Sequence, residues 1–396
     1  MHMETLSMNM LTSLAAISTA VALSTGTALA GAPVGGGGAE LVMSGLAGPI
    51  GLETDNRARA WLSEMGPPVA PGNGTISWFY VNQATSGKNL FIENYPIAIN
   101  PFNGEAAGIA HIDIDSNGNL LLAAGGPPID SMLGGAVRYD ITPAVVEGQS
   151  YQPDGAPLLQ MVTTAGYATT IPDVVESNTY SIAEDGNGNL YVADAGANAI
   201  IKISNTNSTL STFAVFPDSN INVQSVPTRM INVNNNGSPD ATAFIIVELT
   251  GVPFFQNEAR VWGATNDGTI SVLASGLSTL VDCELDADGS LLVCSAGEFD
   301  FAGNIFAPGT GSIQRVDLTS GAVTTVRSGL WLPTGIEVIG GDIYFCTFYE
   351  GNMYRFDPDD WPAYCDTDVN EDGAVNVNDI LLLLEEWGSS ACAVTP

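Results

Sequence analysis

Between Tyr180 and Ser204 the chain reads YSIAEDGNGNLYVADAGANAIIKIS, short apolar segments separated by Asp, Asn and Gly. Apolar runs of this kind, bounded by such residues, are strands joined by tight turns. Asp185-Gly186-Asn187-Gly188 supplies residues that accept positive φ, which a hairpin needs if its turn is to follow the right-handed twist of the strands. The unit recurs as HIDIDSNGNLLLAAGG at His111–Gly126 and as VDCELDADGSLLVCSAG at Val281–Gly297. A module repeated at intervals of roughly 50 residues specifies a propeller or a solenoid.

A second repeat decides how the modules are arranged. AELVMSGLAGPIGLE (Ala39–Glu53) has relatives downstream in TISVLASGLSTLVDCE (Thr269–Glu284) and AVTTVRSGLWLPTGIE (Ala322–Glu337). In the downstream copies an outer strand ends at Ser-Gly-Leu and the chain crosses to the inner strand of the next module. The N-terminal copy has that outer strand with no module before it, and the last module, TGIEVIGGDIYFCTFYEGNMYRFD, lacks one. A closed ring resolves both, with Glu40–Met43 completing the last blade, and closure removes open sheet edges. Inner strands starting near Gly51, Gly108, Ser181, Arg229, Asp282 and Gly335 predict an all-β, six-bladed propeller over residues 39–358; its blades resemble those of NHL and SMP-30 propellers. Two stretches, Gly125–Gly134 and Glu147–Asn178, read as insertions, and the second is the better candidate for a functional loop.

With 43 acidic and 10 basic residues the net charge is −33, which repels nucleic acid and anionic lipid surfaces. The 44 Gly and 22 Pro, against 13% charged residues, suit a turn-rich β protein. Leu11–Leu23 followed by Ala28-Leu29-Ala30 reads as a signal peptide over residues 1–30, although no Lys or Arg precedes it, and residues 31–38 form a flexible lead-in. The expected location is therefore secreted, with no membrane span in the mature chain. Export permits disulfides: Cys365 and Cys392 bracket the C-terminal segment, and Cys283 and Cys294, flanking the Asp288-Gly289 turn, read equally as a bridge or as two buried thiols. Cys346 is left as a buried thiol.

From Ser177 to Asp357 the pattern resembles the ScyD/ScyE family of exported β-propellers. The most specific segment is Val247-Glu248-Leu249-Thr250-Gly251-Val252-Pro253-Phe254 followed by Glu258-Ala259-Arg260-Val261, together with YVADAGANAIIKI and the Ser-Gly-Leu crossovers. The resemblance implies a secreted six-bladed propeller and brings no settled catalytic mechanism.

After Pro358 the composition changes. In CDTDVNEDGAVNVNDILLLLEEWG, Asp368, Asn370, Asp372, Gly373 and Asp379 fall at positions 1, 3, 5, 6 and 12 of a calcium loop, with Ala374 giving its carbonyl and Asn376 a direct or water-mediated ligand. Asp at the last position and the helix expected at Ile380–Trp387 resemble a dockerin repeat. Dockerins carry two repeats and this chain has one, so a cohesin-like partner and a stand-alone anchoring tail over residues 359–396 both stay open.

Little catalytic equipment is visible. Once residues 1–30 are removed a single histidine, His111, remains on an inner strand and reads as a core or channel residue. There is no G-x-S-x-G elbow, P-loop, C-x-x-C or dinucleotide fingerprint. Arg57, Arg59, Arg138 and Arg229 read as scattered surface cations, with anion binding as the alternative. Carboxylates stand out instead. The equivalent inner-strand positions before each turn hold Glu53, Asp113, Ala183, Asn232, Glu284 and Glu337. Glu53, Asp113, Asn232, Glu284 and Glu337 either project to water at the channel mouth or hold a second divalent cation. The first expectation is a non-catalytic extracellular binding or scaffold module for a protein or carbohydrate ligand, with Ca2+ in its tail. The second is a metal-dependent hydrolase or lactonase resembling the SMP-30/gluconolactonase propellers, a resemblance that implies one divalent cation in the channel held by Glu, Asn and Asp.

Overall fold

A computed structural model describes residues 39–358, apart from 67–73, 82–86, 100–105, 127–131 and 234–240 and positions 175, 220, 222 and 304. The signal segment 1–30, the lead-in 31–38, the tail 359–396 with its loop and Cys365 and Cys392, and the centre of the Gly125–Gly134 insertion lie outside the described residues.

Six four-stranded antiparallel sheets form the propeller. Their inner strands are Pro49–Thr54, Ile109–Ile114, Thr179–Glu184, Pro227–Asn232, Leu280–Leu285 and Pro333–Ile339, here the inner strands of blades I to VI. In blades I to V the chain runs outward from the inner strand to an outer strand. Blade VI is closed by Glu40–Ser44, which pairs with Asn352–Phe356 in the register Glu40↔Arg355 and Ser44↔Asn352. The N-terminal strand therefore closes the ring, and no blade is left with a missing outer strand.

The hairpin turns follow the expected chemistry. Asp115, Asp185 and Asp286 each precede a Gly with φ between 76° and 83°, at Gly118, Gly188 and Gly289. Asp115 Oδ1 accepts from the N–H of Asn117 and Asn119 at 2.9 and 2.8 Å, and Asp185 Oδ1 accepts from Asn187 and Asn189 at 2.9 Å each. Side-chain capping of this kind satisfies backbone donors that the turn leaves unpaired.

Neighbouring blades are stitched near the axis by buried polar groups at all six junctions. Ser63 Oγ donates to Ala110 O, Thr179 Oγ1 to Ala124 O, Ser181 Oγ to Thr228 O, Thr228 Oγ1 to Leu280 O and Thr334 Oγ1 to Pro49 O, at 2.6–3.0 Å. The remaining junction, between blades V and VI, is the N–H of Ile336 donating to Asp282 Oδ2 at 2.9 Å. Apolar clusters fill the space between blades, among them Trp61 with Phe91 and Tyr139, and Phe244 with Tyr191 and Trp262. Burial on this scale stabilises by about 25 cal/mol per Å² of apolar surface, and it fixes the inner strands that carry the polar channel.

Two sequence expectations are corrected, on the insertion and on the arginines, and one left open, on the cysteines, is decided. Glu147–Asn178 is not a free insertion, because Leu158–Thr163 within it is the outer strand of blade II, paired with Gly135–Tyr139. Its exposed Leu158 and Leu159 break the alternation that marks a half-buried strand. Cys283 and Cys294 are buried free thiols, as is Cys346. The register pairs Asp282 with Cys294 and Cys283 with Val293, so the cysteines are one residue out of step and enter different cores. Arg59, Arg138 and Arg229 are not scattered surface cations either. Arg59 and Arg229 are buried, Arg59 paired with Asp55, and Arg138 pairs with Asp115 and Glu184.

Candidate metal centre

The inner strands converge on the propeller axis, and each carries one extra residue relative to its partner strand, a bulge at its first half. Such bulges lie between Pro49 and Gly51, Ile109 and Ile112, Thr179 and Ser181, Pro227 and Met230, Leu280 and Asp282, and Thr334 and Glu337. A bulge bends a strand and re-aims its side chains. Beyond it, Glu53, Asp113, Glu284 and Glu337 hold one register position near the turn end of blades I, II, V and VI, where blades III and IV carry Ala183 and Ile231.

Glu53, Glu284 and Glu337, from blades I, V and VI, offer carboxylate oxygens that all lie within 4.8 Å of one another. Two oxygens on opposite sides of a calcium ion stand about 4.6–5.2 Å apart, twice the usual Ca–O distance, so this span matches a single ion. Glu337 Oε1 accepts from Thr54 Oγ1 at 2.6 Å, while its buried Oε2 has no hydrogen-bond donor. Asp113 and Glu284 each accept the N–H of the following residue, at 2.8 and 2.9 Å. A cavity of about 370 Å³ opens beside the cluster, walled by Glu53, Asp113, Glu184, Arg229, Asn232 and Glu284 among others.

A guanidinium crosses the same space. Arg229 is 2% exposed; its Nη2 is ion-paired with Glu53, its Nη1 donates to Ile112 O at 3.1 Å, and its Nε lies 3.7 Å from Asp282 Oδ1. Asp282 also lies 2.9 Å from His111 Nε2.

Burial is the main force on the acids. It pushes the carboxyl of Glu53 well above the usual range against the pull of Arg229, with Glu337, Asp113 and Glu284 adding repulsion. Glu337 is raised well above that range by burial and then by Glu284. Asp113 is raised, again chiefly by burial, and Glu284 is raised to about 7 by burial against the opposing pull of Arg229. Burial works against the charge of Arg229 too, but Glu53, Asp113, Asp282 and Glu284 outweigh it and hold the guanidinium protonated. One arginine does not offset this many buried carboxylates, so the group takes up protons or a cation. Oxygen-only donors and the donor-free oxygen of Glu337 suit a hard cation such as calcium.

Of the five channel residues expected from the sequence, the structure gathers Glu53, Glu284 and Glu337 into one cluster and buries Glu53 and Glu337 instead of leaving them in open water. Asp113 and Asn232 reach the cavity wall outside that trio, and the Asn232 amide donates to Glu184 O at 2.5 Å. Ala183 turns into the apolar core between blades. Arg229 and Asp282 were missed as channel residues. A second reading of the inner strands, two positions earlier, would have found His111 and Asp282 as a pair. Arg229 holds the same register position as His111 and Asp282; it escapes the sequence reading because Asn232, taken there as the equivalent of Glu53 and Asp113, lies one residue further along its strand, where Ile231 is the true equivalent.

Solved structures share this architecture. A gluconolactonase from Xanthomonas campestris is similar over 80% of this chain and 88% of its own, at 10% identity and a TM-score of 0.50. Regucalcin, a calcium-binding protein from Agrobacterium tumefaciens, is similar over 81% and 92% at 11% identity and a TM-score of 0.48. A virginiamycin B lyase from Staphylococcus aureus is similar over 78% and 80% at 18% identity and a TM-score of 0.45. At such identities the likeness shows the β-propeller fold alone. No protein-family model matches the chain, and no curated protein matches it.

Proposed function

We propose that the chain is a divalent-cation-dependent hydrolase of small cyclic esters, with calcium held by Glu53, Glu284 and Glu337. The observation that carries this reading is the convergence of three carboxylates, with one oxygen of each within 4.8 Å of the others, one of them Glu337, whose buried Oε2 has no protein donor. When bound, the ion supplies a Lewis acid for an ester carbonyl. Asp113, on the cavity wall with its pKa raised, is the carboxylate outside the trio placed to take a proton from attacking water. The water oxygen adds to the carbonyl carbon, the ring C–O bond breaks, and the leaving oxygen takes back from Asp113 the proton drawn from water, giving a hydroxy acid and restoring the carboxylate. The similarly folded gluconolactonase supports the substrate class, and the cavity volume lies in the range of small-molecule sites. A binding or scaffold module has no use for so many buried, uncompensated carboxylates, which sets that reading second.

On sequence spacing alone we infer in addition that residues 359–396 bind a second calcium through Asp368, Asn370, Asp372, Ala374, Asn376 and Asp379 and anchor the protein or dock a cohesin-like partner. Residues 1–30 would direct export.

The test is hydrolysis of glucono-1,5-lactone by the full chain, followed by acid release. Activity should vanish on chelation and return with calcium, and Asp113→Asn should lower kcat by about 10²–10⁴. Turnover indifferent to chelation, in a protein that binds no cation by calorimetry, would sink the proposal.

A further inference from the structure

Arg229 occupies an unexpected position for a residue beside a cation site. Its guanidinium reaches from Glu53 of blade I to Asp282 of blade V and is tethered to the backbone of blade II at Ile112 O. Glu53 is also one of the three carboxylates that converge. The same carboxylate thus serves a permanent internal cation and stands within reach of an incoming one. A second carboxylate is already close to the guanidinium. Asp282 Oδ2 accepts the Ile336 N–H at 2.9 Å, its Oδ1 accepts the Cys283 N–H at 2.8 Å and lies 2.9 Å from His111 Nε2, and Arg229 Nε stands 3.7 Å from that Oδ1, beyond a direct hydrogen bond.

We propose that Arg229 is a built-in competitor for the divalent cation. It holds Glu53 while the site is free of the ion and passes to Asp282 when the ion takes Glu53. This rests on the cation reading above. In the metal-free fold the guanidinium offsets part of the charge on the buried acids. On cation entry its charge is a cost, since two positive centres in a partly buried site repel strongly. Arg229 therefore sets the affinity low enough for the site to fill and empty, where the same carboxylates without it would bind the ion more tightly.

The experiment is calorimetric titration with calcium alone, on the full chain carrying Asp368→Ala and Asp372→Ala so that the tail loop is silent. Arg229→Gln in that background should bind calcium at least about tenfold more tightly than the unaltered channel, and should melt lower in chelator because Glu53 has lost its counter-charge. Arg229→Lys, which keeps the charge but not the fork, should fall between the two. A folded Arg229→Gln protein with equal or weaker affinity overturns the proposal while leaving the cation site standing. Absence of binding in both proteins overturns the cation reading and this inference with it. Should Arg229→Gln fail to fold, the nitrogen resonances of the Arg229 side chain, assigned by their loss in Arg229→Lys, decide the matter. They should move as calcium saturates the channel, and unchanged positions at saturation overturn the exchange between the two carboxylates.

Discussion

Glu53 and Asp55 stand two residues apart at the end of one strand, both buried, and they meet opposite fates. Asp55 is surrounded by donors: Oδ1 accepts from the N–H of Arg57 and Arg59 at 2.8 and 3.1 Å, and Oδ2 accepts from Arg59 Nε and Trp61 Nε1 at 2.7 and 3.0 Å. Burial works to raise its pKa, but the bonds from Trp61 and Arg59 win and hold it below 3.8. Glu53 shares one guanidinium with Asp113, Asp282 and Glu284, and is raised. Asp115, two residues after Asp113, is likewise met by donors: its Oδ1 accepts from the N–H of Asn117 and Asn119, and its Oδ2 from the Asn119 amide. Burial alone does not decide what a carboxylate does; the number of donors within reach decides. Acids in the turns are structural, and acids in the channel are left with capacity for a proton or a cation.

The largest effect that would break this comparison comes from the turn side. Asp55→Ala leaves Arg59 buried without its carboxylate and removes the partner of Trp61, which should cost about 3–5 kcal/mol in urea unfolding. A loss under about 1 kcal/mol would mean that the turn acids are no better supported than the channel acids. The channel side should respond with the opposite sign. In chelator at pH 8, the double change Glu284→Gln and Glu337→Gln removes charges that the fold does not compensate, and should stabilise by about 1–3 kcal/mol. The same variant should lose all stabilisation by calcium at the channel. Destabilisation in chelator would show that these carboxylates are satisfied as they stand.

The pH dependence sharpens the comparison with a smaller shift. Glu284 titrates near 7 in the fold against an ordinary 4.5, so its contribution is full below about 4.5 and is lost as pH rises toward 7. Asp55 is depressed, so its contribution is present above 3.8 and is lost only as pH falls below that value. In chelator, thermal melts should therefore fall as pH climbs from about 4.5 to 7, and saturating calcium should flatten that fall. A metal-free protein whose melting temperature rises across this window would contradict the assignment of Glu284.

Much of this is legible in the sequence alone. The strand–Asx–Gly turn–strand modules, their number, and closure of the ring by Glu40–Ser44 are local or repetitive signals: two-residue alternation and turn chemistry act over a few residues, and symmetry carries them around the ring. That Glu53, Asp113, Glu284 and Glu337 share one position in the repeat is legible for the same reason, whereas Asn232 lies one residue beyond it. Tertiary structure alone decided the rest. It chose Glu53, Glu284 and Glu337 as the trio that meets, placed Asp113 and Asn232 on the wall, and turned Ala183 into the core. It laid Arg229 across the axis and put Cys283 and Cys294 out of register. The physical reason is register, which each hairpin sets as a whole: it puts Asp282, not Cys283, opposite Cys294, and ranks Ile231, not Asn232, with Glu53 and Asp113. Composition and turn signals read the same in either register, yet a shift of one residue reverses the face on which every side chain falls.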